Sequence, residues 1–180
     1  MLKRLLAKAS PLLGSHGDWQ GSCLLCHQPC DNEPLLCSWC RQALHQSQPR
    51  CRLCAAPLAD YIEESIPVCG RCQRRPPPWE RLQVIGDYQT PYPMLIPRLK
   101  YSGQILLAPL LARLLADHLD GREPPEAIIP VPLHWWRQWR RGFNQAEEIA
   151  QALGEFTDIP CDNTLLQRIK ATPQQTTLSA

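Results

Sequence analysis

The chain has 180 residues, 44% of them apolar and 20% charged, with a formal net charge of +2 at pH 7 when cysteines are counted as neutral. No stretch is long and apolar enough to cross a bilayer as a helix, which excludes a helical membrane span. The calculated pI of 8.1 belongs to a metal-free chain and is no argument for nucleic-acid binding, so any basic surface has to be local.

Residues 1–20 come first. Leu2, Leu5, Leu6 and Leu13 alternate with Lys3, Arg4 and Lys8 as in an amphipathic helix. Docking on its own domain is the common fate of such a helix, and a membrane surface is the other. Lys8 breaks the apolar run before it reaches signal-peptide length. The expectation is a cytoplasmic protein whose thiols stay reduced.

Residues 21–75 hold four Cys-x-x-Cys pairs: Cys23/Cys26, Cys37/Cys40, Cys51/Cys54 and Cys69/Cys72. Each turn places two sulfurs on one side of a tight loop, and two turns complete the tetrahedral four-sulfur site that structural zinc prefers. Disulfides are the competing reading, but they belong to oxidising compartments. Eight thiolates on two zinc ions bring the net charge to about −2.

The pairs also repeat. Cys23-Leu24-Leu25-Cys26-His27-Gln28-Pro29 aligns with Cys51-Arg52-Leu53-Cys54-Ala55-Ala56-Pro57, and each block closes on a second pair. A repeat marks one structural unit per block, which predicts Cys23, Cys26, Cys37 and Cys40 on one zinc and Cys51, Cys54, Cys69 and Cys72 on the other. Cross-braced pairing is the alternative. Cys30 aligns with Leu58 and reads as a small buried hydrophobe, and Cys161 as an ordinary buried thiol. Blocks this short cannot bury enough apolar surface to fold alone. Zinc supplies on the order of 10 kcal/mol per site, and four-cysteine sites leave no open position for catalysis.

Pro76-Pro77-Pro78 forms a stiff spacer, and the second region, residues 76–180, is placed after it. Leu82 to Tyr88 reads as a strand and Gln104 to Leu119 as a leucine-rich helix, with Pro109 in its first turn or at a kink and Gly121 as its stop. The short apolar run Ala127-Ile128-Ile129-Pro130-Val131-Pro132 reads as a buried parallel strand. A second helix runs from Asn144 to Leu153, with Asn144 as cap, Glu147 in a capping-box position and Gly154 as stop. Strand, helix, strand, helix predicts an α/β domain with a parallel sheet.

The loop from Pro132 to Gln145 holds Trp135, Trp136, Arg137, Trp139, Arg140, Arg141, Gly142, Phe143, Asn144 and Gln145. Ligands of open α/β sheets sit at the carboxyl ends of strands, where this loop lies. Its arginines and amides suit phosphate or pyrophosphate. Tryptophans beside arginines equally suit the stacked bases of single-stranded nucleic acid. A solvated basic turn with tryptophans plugging the core is the third reading.

Taken together, the cysteine pairs, the segment Ile96 to Gly103, the run Ile128 to Ala150 and the later Arg168, Thr172, Gln175 and Leu178 resemble the ComF/GntX family. The resemblance covers about Cys23 to Ala180, and Arg141-Gly142-Phe143-Asn144-Gln145 is its specific part. It implies a small double zinc-ribbon head joined to a type I phosphoribosyltransferase-like parallel-sheet domain, in proteins of competence and DNA utilisation. It also implies single-stranded DNA and proteins of the uptake machinery as partners. Arg137, Arg140, Arg141, Gly142, Asn144 and Gln145 then fall on the side of the site that meets pyrophosphate or nucleic acid. Lys100 lies in a family-like element with no assigned role. The adjacent acids followed by threonines and glycine that grip ribose phosphate are missing: Glu63-Glu64 lies in the head and Glu147-Glu148 in a helix. The expectation is a C-terminally truncated form that is a poor enzyme or none, with Mg²⁺ and phosphoribosyl pyrophosphate as ligands of a full-length form. The tail Lys170 to Leu178 is expected to be poorly ordered. The alternative function is a non-catalytic zinc-ribbon factor that binds nucleic acid or protein.

Overall fold

The computed structural model describes residues 20–31, 35–44, 48–58, 67–119 and 124–172. The amphipathic segment, Glu63-Glu64, Gly121, Gln175 and Leu178 lie outside the described residues, as does the tail beyond Thr172. The elements in order are β1 (Gln20–Ser22), β2 (Pro29–Asp31), α1 (Ser38–Leu44), α2 (Gly70–Arg74), α3 (Tyr92–Tyr101), α4 (Leu107–Ala116), α5 (Trp135–Arg141) and α6 (Gln145–Thr157). Among the described residues no helix is long and apolar enough to cross a membrane.

The chain divides into two compact units, Met1–Pro93 and Met94–Ala180. The division into these units falls after Pro93, whereas the sequence reading places a boundary after Pro76-Pro77-Pro78. Trp79 donates its indole N–H to the Leu53 carbonyl at 2.7 Å, and Leu82 N–H reaches the Arg52 carbonyl at 2.9 Å. Asp87 accepts from Arg50 and from Gln48. These bonds hold residues 79–87 on the cysteine-rich head. They also correct the strand expected over Leu82 to Tyr88, because the backbone there bonds to the head in an irregular path and forms no ladder. Tyr92 closes the unit, its one buried hydroxyl proton shared between the carbonyls of Leu44 and Ile85, each at 3.0 Å.

The first unit is built twice over. β1 and β2 pair antiparallel with Gly21 opposite Cys30 and Ser22 opposite Pro29. In the second block Arg50 bridges Pro57 and Leu58 N–H reaches the Pro49 carbonyl at 2.9 Å, the same register 28 residues on. Cys23 N–H bonds to the Gln28 carbonyl and Cys51 N–H to the Ala56 carbonyl, both at 2.8 Å. The repeat seen in the sequence is therefore a repeat of backbone.

In the second unit α4 packs against α6. Ala112, Ala152 and Leu153 form the shared core, with Leu115, Ala116, Leu119, Ile128 and Ile149 packed on it. Each fully buried leucine contributes roughly 1.5–3 kcal/mol relative to an exposed one. Pro109 is the third residue of α4, in the first turn, where its missing N–H costs no hydrogen bond. Leu106 precedes the helix and is exposed.

α6 runs four residues further than predicted, to Thr157, and carries Gly154 inside it. A Cβ on Gly154 would stand 2.6 Å from the Ile159 carbonyl oxygen. This glycine allows a close approach of the returning chain, and the helix stops instead at Asp158 in the left-handed region (φ 56°).

The parallel sheet is reduced, among the described residues, to one parallel bridge between Ile128 and Cys161. Ile128 N–H donates to Pro160 and Asp162 N–H donates to Ile128. Pro130 and Pro132 lack N–H donors, so the run that reads as a strand cannot continue the ladder at those positions. Helices plus one small antiparallel sheet are what the described residues form.

Candidate functional site

The head brings its eight paired cysteines into two clusters, Cys23/Cys26/Cys37/Cys40 and Cys51/Cys54/Cys69/Cys72, with the ligand atoms of each within 4.8 Å of one another. Pairing is therefore sequential, within blocks, and not cross-braced. Sulfur–sulfur distances are 3.7 Å for Cys26/Cys37 and 3.7 Å for Cys54/Cys69. A tetrahedron with metal–sulfur bonds of about 2.3 Å has edges of about 3.8 Å, whereas a disulfide needs about 2.05 Å. All ten cysteines are free thiols. The donor set thus fits a four-coordinate, closed, structural zinc ion in each block.

Local backbone explains the spacing. His27 and Ala55, each just after the first pair, take φ values of 60° and 58°. Their N–H groups return to the carbonyls of Cys23 and Cys51 at 2.9 and 2.7 Å. The second pair of each block opens a helix: Cys37 and Cys69 accept from Arg41 and Gln73 N–H, each at 3.0 Å. Two crossing bonds, Leu24 N–H to Leu35 and Arg52 N–H to Pro67, hold the two turns of a block face to face at 2.9 and 2.8 Å.

The electrostatics repeat as well. Burial pushes the Cys23 thiol up, but the backbone N–H groups of Cys26, Cys37 and Leu25 outweigh it and hold the thiol down at about 6. At Cys51 burial is likewise outweighed by the N–H groups of Cys69, Leu53 and Cys54, again down to about 6. Burial and the neighbouring thiols push Cys40 up, and Cys72 up to about 12. Without metal, four thiolates this close cannot all ionise. A divalent cation removes that repulsion.

Cys30 is 2% exposed, as expected of a small apolar stand-in, and burial pushes its thiol up to about 11. Cys161 is only half-buried.

In the second unit the sequence-predicted loop forms α5 and a reversal. His134 caps α5 through Nδ1, which accepts from Trp136 N–H at 3.4 Å. Gly142, at φ 85°, donates to the Gln138 carbonyl at 2.7 Å and turns the chain toward α6. A β-carbon would be strained at that φ. Asn144, 4% exposed, then caps α6: its Oδ1 accepts from Ala146 N–H at 3.1 Å. Its Nδ2 donates to the Val131 carbonyl at 3.1 Å. Both ends of this amide are engaged by the chain, so Asn144 shapes the loop. Glu147 does not close a capping box; its carboxylate accepts from Asn163 and Gln151.

The predicted arginines Arg137, Arg140 and Arg141 meet in one cleft of about 390 Å³, which Gln145 does not line. Its walls carry four cations, Lys100, Arg137, Arg140 and Arg141, and three rings, Tyr101, Trp136 and Phe143. Among its described lining residues there is no carboxylate, so these side chains do not themselves form a Mg²⁺ site. Arg140 lies over Trp136 at 5.6 Å and Arg141 over Tyr101 at 5.4 Å. Arg141 also donates to the Gln145 side chain, and Arg137 to the Thr172 carbonyl. Arg168 joins the same link through Thr172 Oγ1 at 2.6 Å. The reading in which the tryptophans plug the core is overturned: α5 buries none of its residues, and Trp135 and Trp139 are 69% and 79% exposed. Sequence reasoning leaves Lys100 without a role and passes over Tyr101; the turn at Gly103 (φ 65°) follows them and is the available signal.

Comparison with known proteins gives the following. The chain is 40% identical over 151 residues to competence protein F of Haemophilus influenzae, an alignment covering 81% of this chain and 64% of that protein. It is 37% identical over 167 residues to DNA utilization protein YhgH of Salmonella typhimurium, covering 89% of this chain and 72% of the relative. YhgH of Escherichia coli K12 is 36% identical over the same length and coverage. The chain thus spans just under two thirds of competence protein F and somewhat more of YhgH. No family model and no solved structure matches it. At this identity and coverage, with both cysteine clusters and the arginine loop in place, the chain belongs to the ComF/GntX family.

Proposed function

We propose that this chain serves the cell's handling of DNA, as its relatives' names indicate for them, with the head held by two structural zinc ions and the second unit binding a phosphate-bearing ligand. The observation that carries the ligand reading is the cleft that joins Lys100, Arg137, Arg140 and Arg141 with no acidic lining residue described. Guanidinium groups bind phosphate oxygens in pairs, and two of these are pre-oriented by the rings they stack on. Phosphoribosyl pyrophosphate is the ligand that the type I phosphoribosyltransferase-like reading of this unit implies. Arg140, Arg141 and Lys100 hold its pyrophosphate in this proposal, while Gly142 and Asn144 set the loop and Gln145 orients Arg141. A magnesium ion would be carried by the ligand's own oxygens.

A second reading is favoured by the exposed Trp135 and Trp139, which offer ring faces beside the same arginines: single-stranded nucleic acid stacked on α5. Tryptophan fluorescence separates the two. Phosphoribosyl pyrophosphate with Mg²⁺ should quench Trp136 saturably and be displaced by pyrophosphate. An oligonucleotide should quench at low salt and be released as salt rises. Absence of any response to both overturns the cleft as a phosphate site.

A further inference from the structure

The first turns of the two metal blocks match in backbone, 28 residues apart, but not in sulfur. Block one has a fifth thiol, Cys30, where block two has Leu58. Its placement follows from the ladder. Gly21 is paired with Cys30, and Cys23 continues the ladder to Gln28. Alternation therefore puts Gly21, Cys23, Gln28 and Cys30 on one face, with Cys23 and Cys30 as diagonal neighbours. Gly21 has no side chain to stand between them. Both cysteines are buried, at 0% and 2% exposure. Burial first, and then the neighbouring thiols of Cys23, Cys37 and Cys26, push the Cys30 thiol up.

We infer that Cys30 is a reserve ligand of the first metal site: when a regular ligand dissociates or is removed, its sulfur steps into the vacated corner. The inference rests on the proposal that each cluster holds zinc. Ligand exchange of this kind needs only a sulfur within a short side-chain movement of the metal, and loss of its proton on binding. No bond other than metal–sulfur is made or broken. At the matching position of the second site Leu58 offers no donor atom, and none of the described residues there supplies a fifth sulfur. The two sites are then unequal: one tolerates the loss of a ligand and the other does not.

The test is zinc content of the purified full chain, read by mass spectrometry and by cobalt(II) substitution, whose thiolate-to-metal absorption reports the number of sulfurs bound. Unaltered protein should hold about two zinc ions per chain. Cys23→Ala should still hold about two, with cobalt absorption of a four-sulfur site. Cys51→Ala, the matching change in block two, should hold about one, and so should Cys23→Ala combined with Cys30→Leu. If Cys23→Ala falls to about one ion like Cys51→Ala, the inference is overturned while the zinc reading stands. If unaltered protein holds none, the zinc reading itself fails. A second measurement does not depend on a ligand mutant folding. Cys30→Leu alone should keep both ions but transfer one of them to a competing chelator several-fold faster than unaltered protein. Equal transfer rates overturn the inference.

Discussion

The Asn144 carboxamide nitrogen donates to the Val131 carbonyl at 3.1 Å. One buried side chain therefore ties the segment before the arginine loop to the helix after it, and its other end caps that helix at Ala146 N–H. Everything between residues 131 and 144, including α5, is strung across this clasp.

Replacing Asn144 by alanine should remove the cap and leave a carbonyl without its partner. The cost should be about 2–3 kcal/mol of unfolding free energy. Asn144→Asp keeps the acceptor for Ala146 but has no N–H for Val131, and should fall between the two. Urea unfolding of the three proteins checks the order. An alanine variant as stable as the original would mean that the clasp is not formed.

Gly154→Ala sets two effects against each other. Alanine gains about 1 kcal/mol of helix propensity over glycine. Its Cβ, however, would meet the Ile159 carbonyl at 2.6 Å, a backbone atom that cannot swing aside. Overpacking of this kind costs about 1–3 kcal/mol, so the net change should be destabilising. A thermal melt that moves upward would refute the close approach.

The metal sites are legible in the sequence because ligand type and spacing state the chemistry directly; the repeat favours pairing within blocks, and the two clusters decide it against the cross-braced alternative. The left-handed turns at His27 and Ala55 are not legible, since neither glycine nor asparagine marks them. Leu82 to Tyr88 alternates like a strand, but its hydrogen bonds go to Arg52 and its Asp87 to Arg50, partners far back in the chain. Gly154 reads as a stop because glycine at a helix end and glycine at a close contact look alike in sequence. In the cleft, the arginines are visible as a local cluster, whereas Lys100 and Tyr101 join them only through folding.

Arg140 should matter to ligand binding in two ways, through its charge and through the ring it covers. Arg140→Ala should weaken binding of phosphoribosyl pyrophosphate or oligonucleotide about tenfold and change Trp136 fluorescence even without ligand. Arg140→Lys keeps the charge but not the flat stack, and should recover only part of the affinity. For an oligonucleotide, each arginine withdrawn from a phosphate should flatten the plot of log affinity against log salt by about 0.7. An unchanged slope in both Arg140→Ala and Arg141→Ala would remove the cleft from the binding surface.

Metal loading should depend on pH with a change of slope. Zinc binds thiolates, so loading displaces protons, and apparent affinity falls as pH falls. Cys23 and Cys51, held down at about 6, are already ionised at neutral pH and release no proton there. A thiol with a depressed value stays charged from high pH down to that value and takes its proton only below it. Cys40 and Cys72, pushed up by burial, must give up protons at any pH in this range. The fall in log affinity should therefore steepen by about one proton per site as pH drops through about 6. Competition with a zinc chelator from about pH 8 to about pH 5 measures this directly. A single unbroken slope would show that the backbone N–H groups do not hold Cys23 and Cys51 down. Complete removal of zinc at neutral pH should unfold the head cooperatively, because its short blocks have little apolar core beyond the metal-linked turns. Far-ultraviolet circular dichroism before and after chelation, with recovery on adding zinc back, reads that loss.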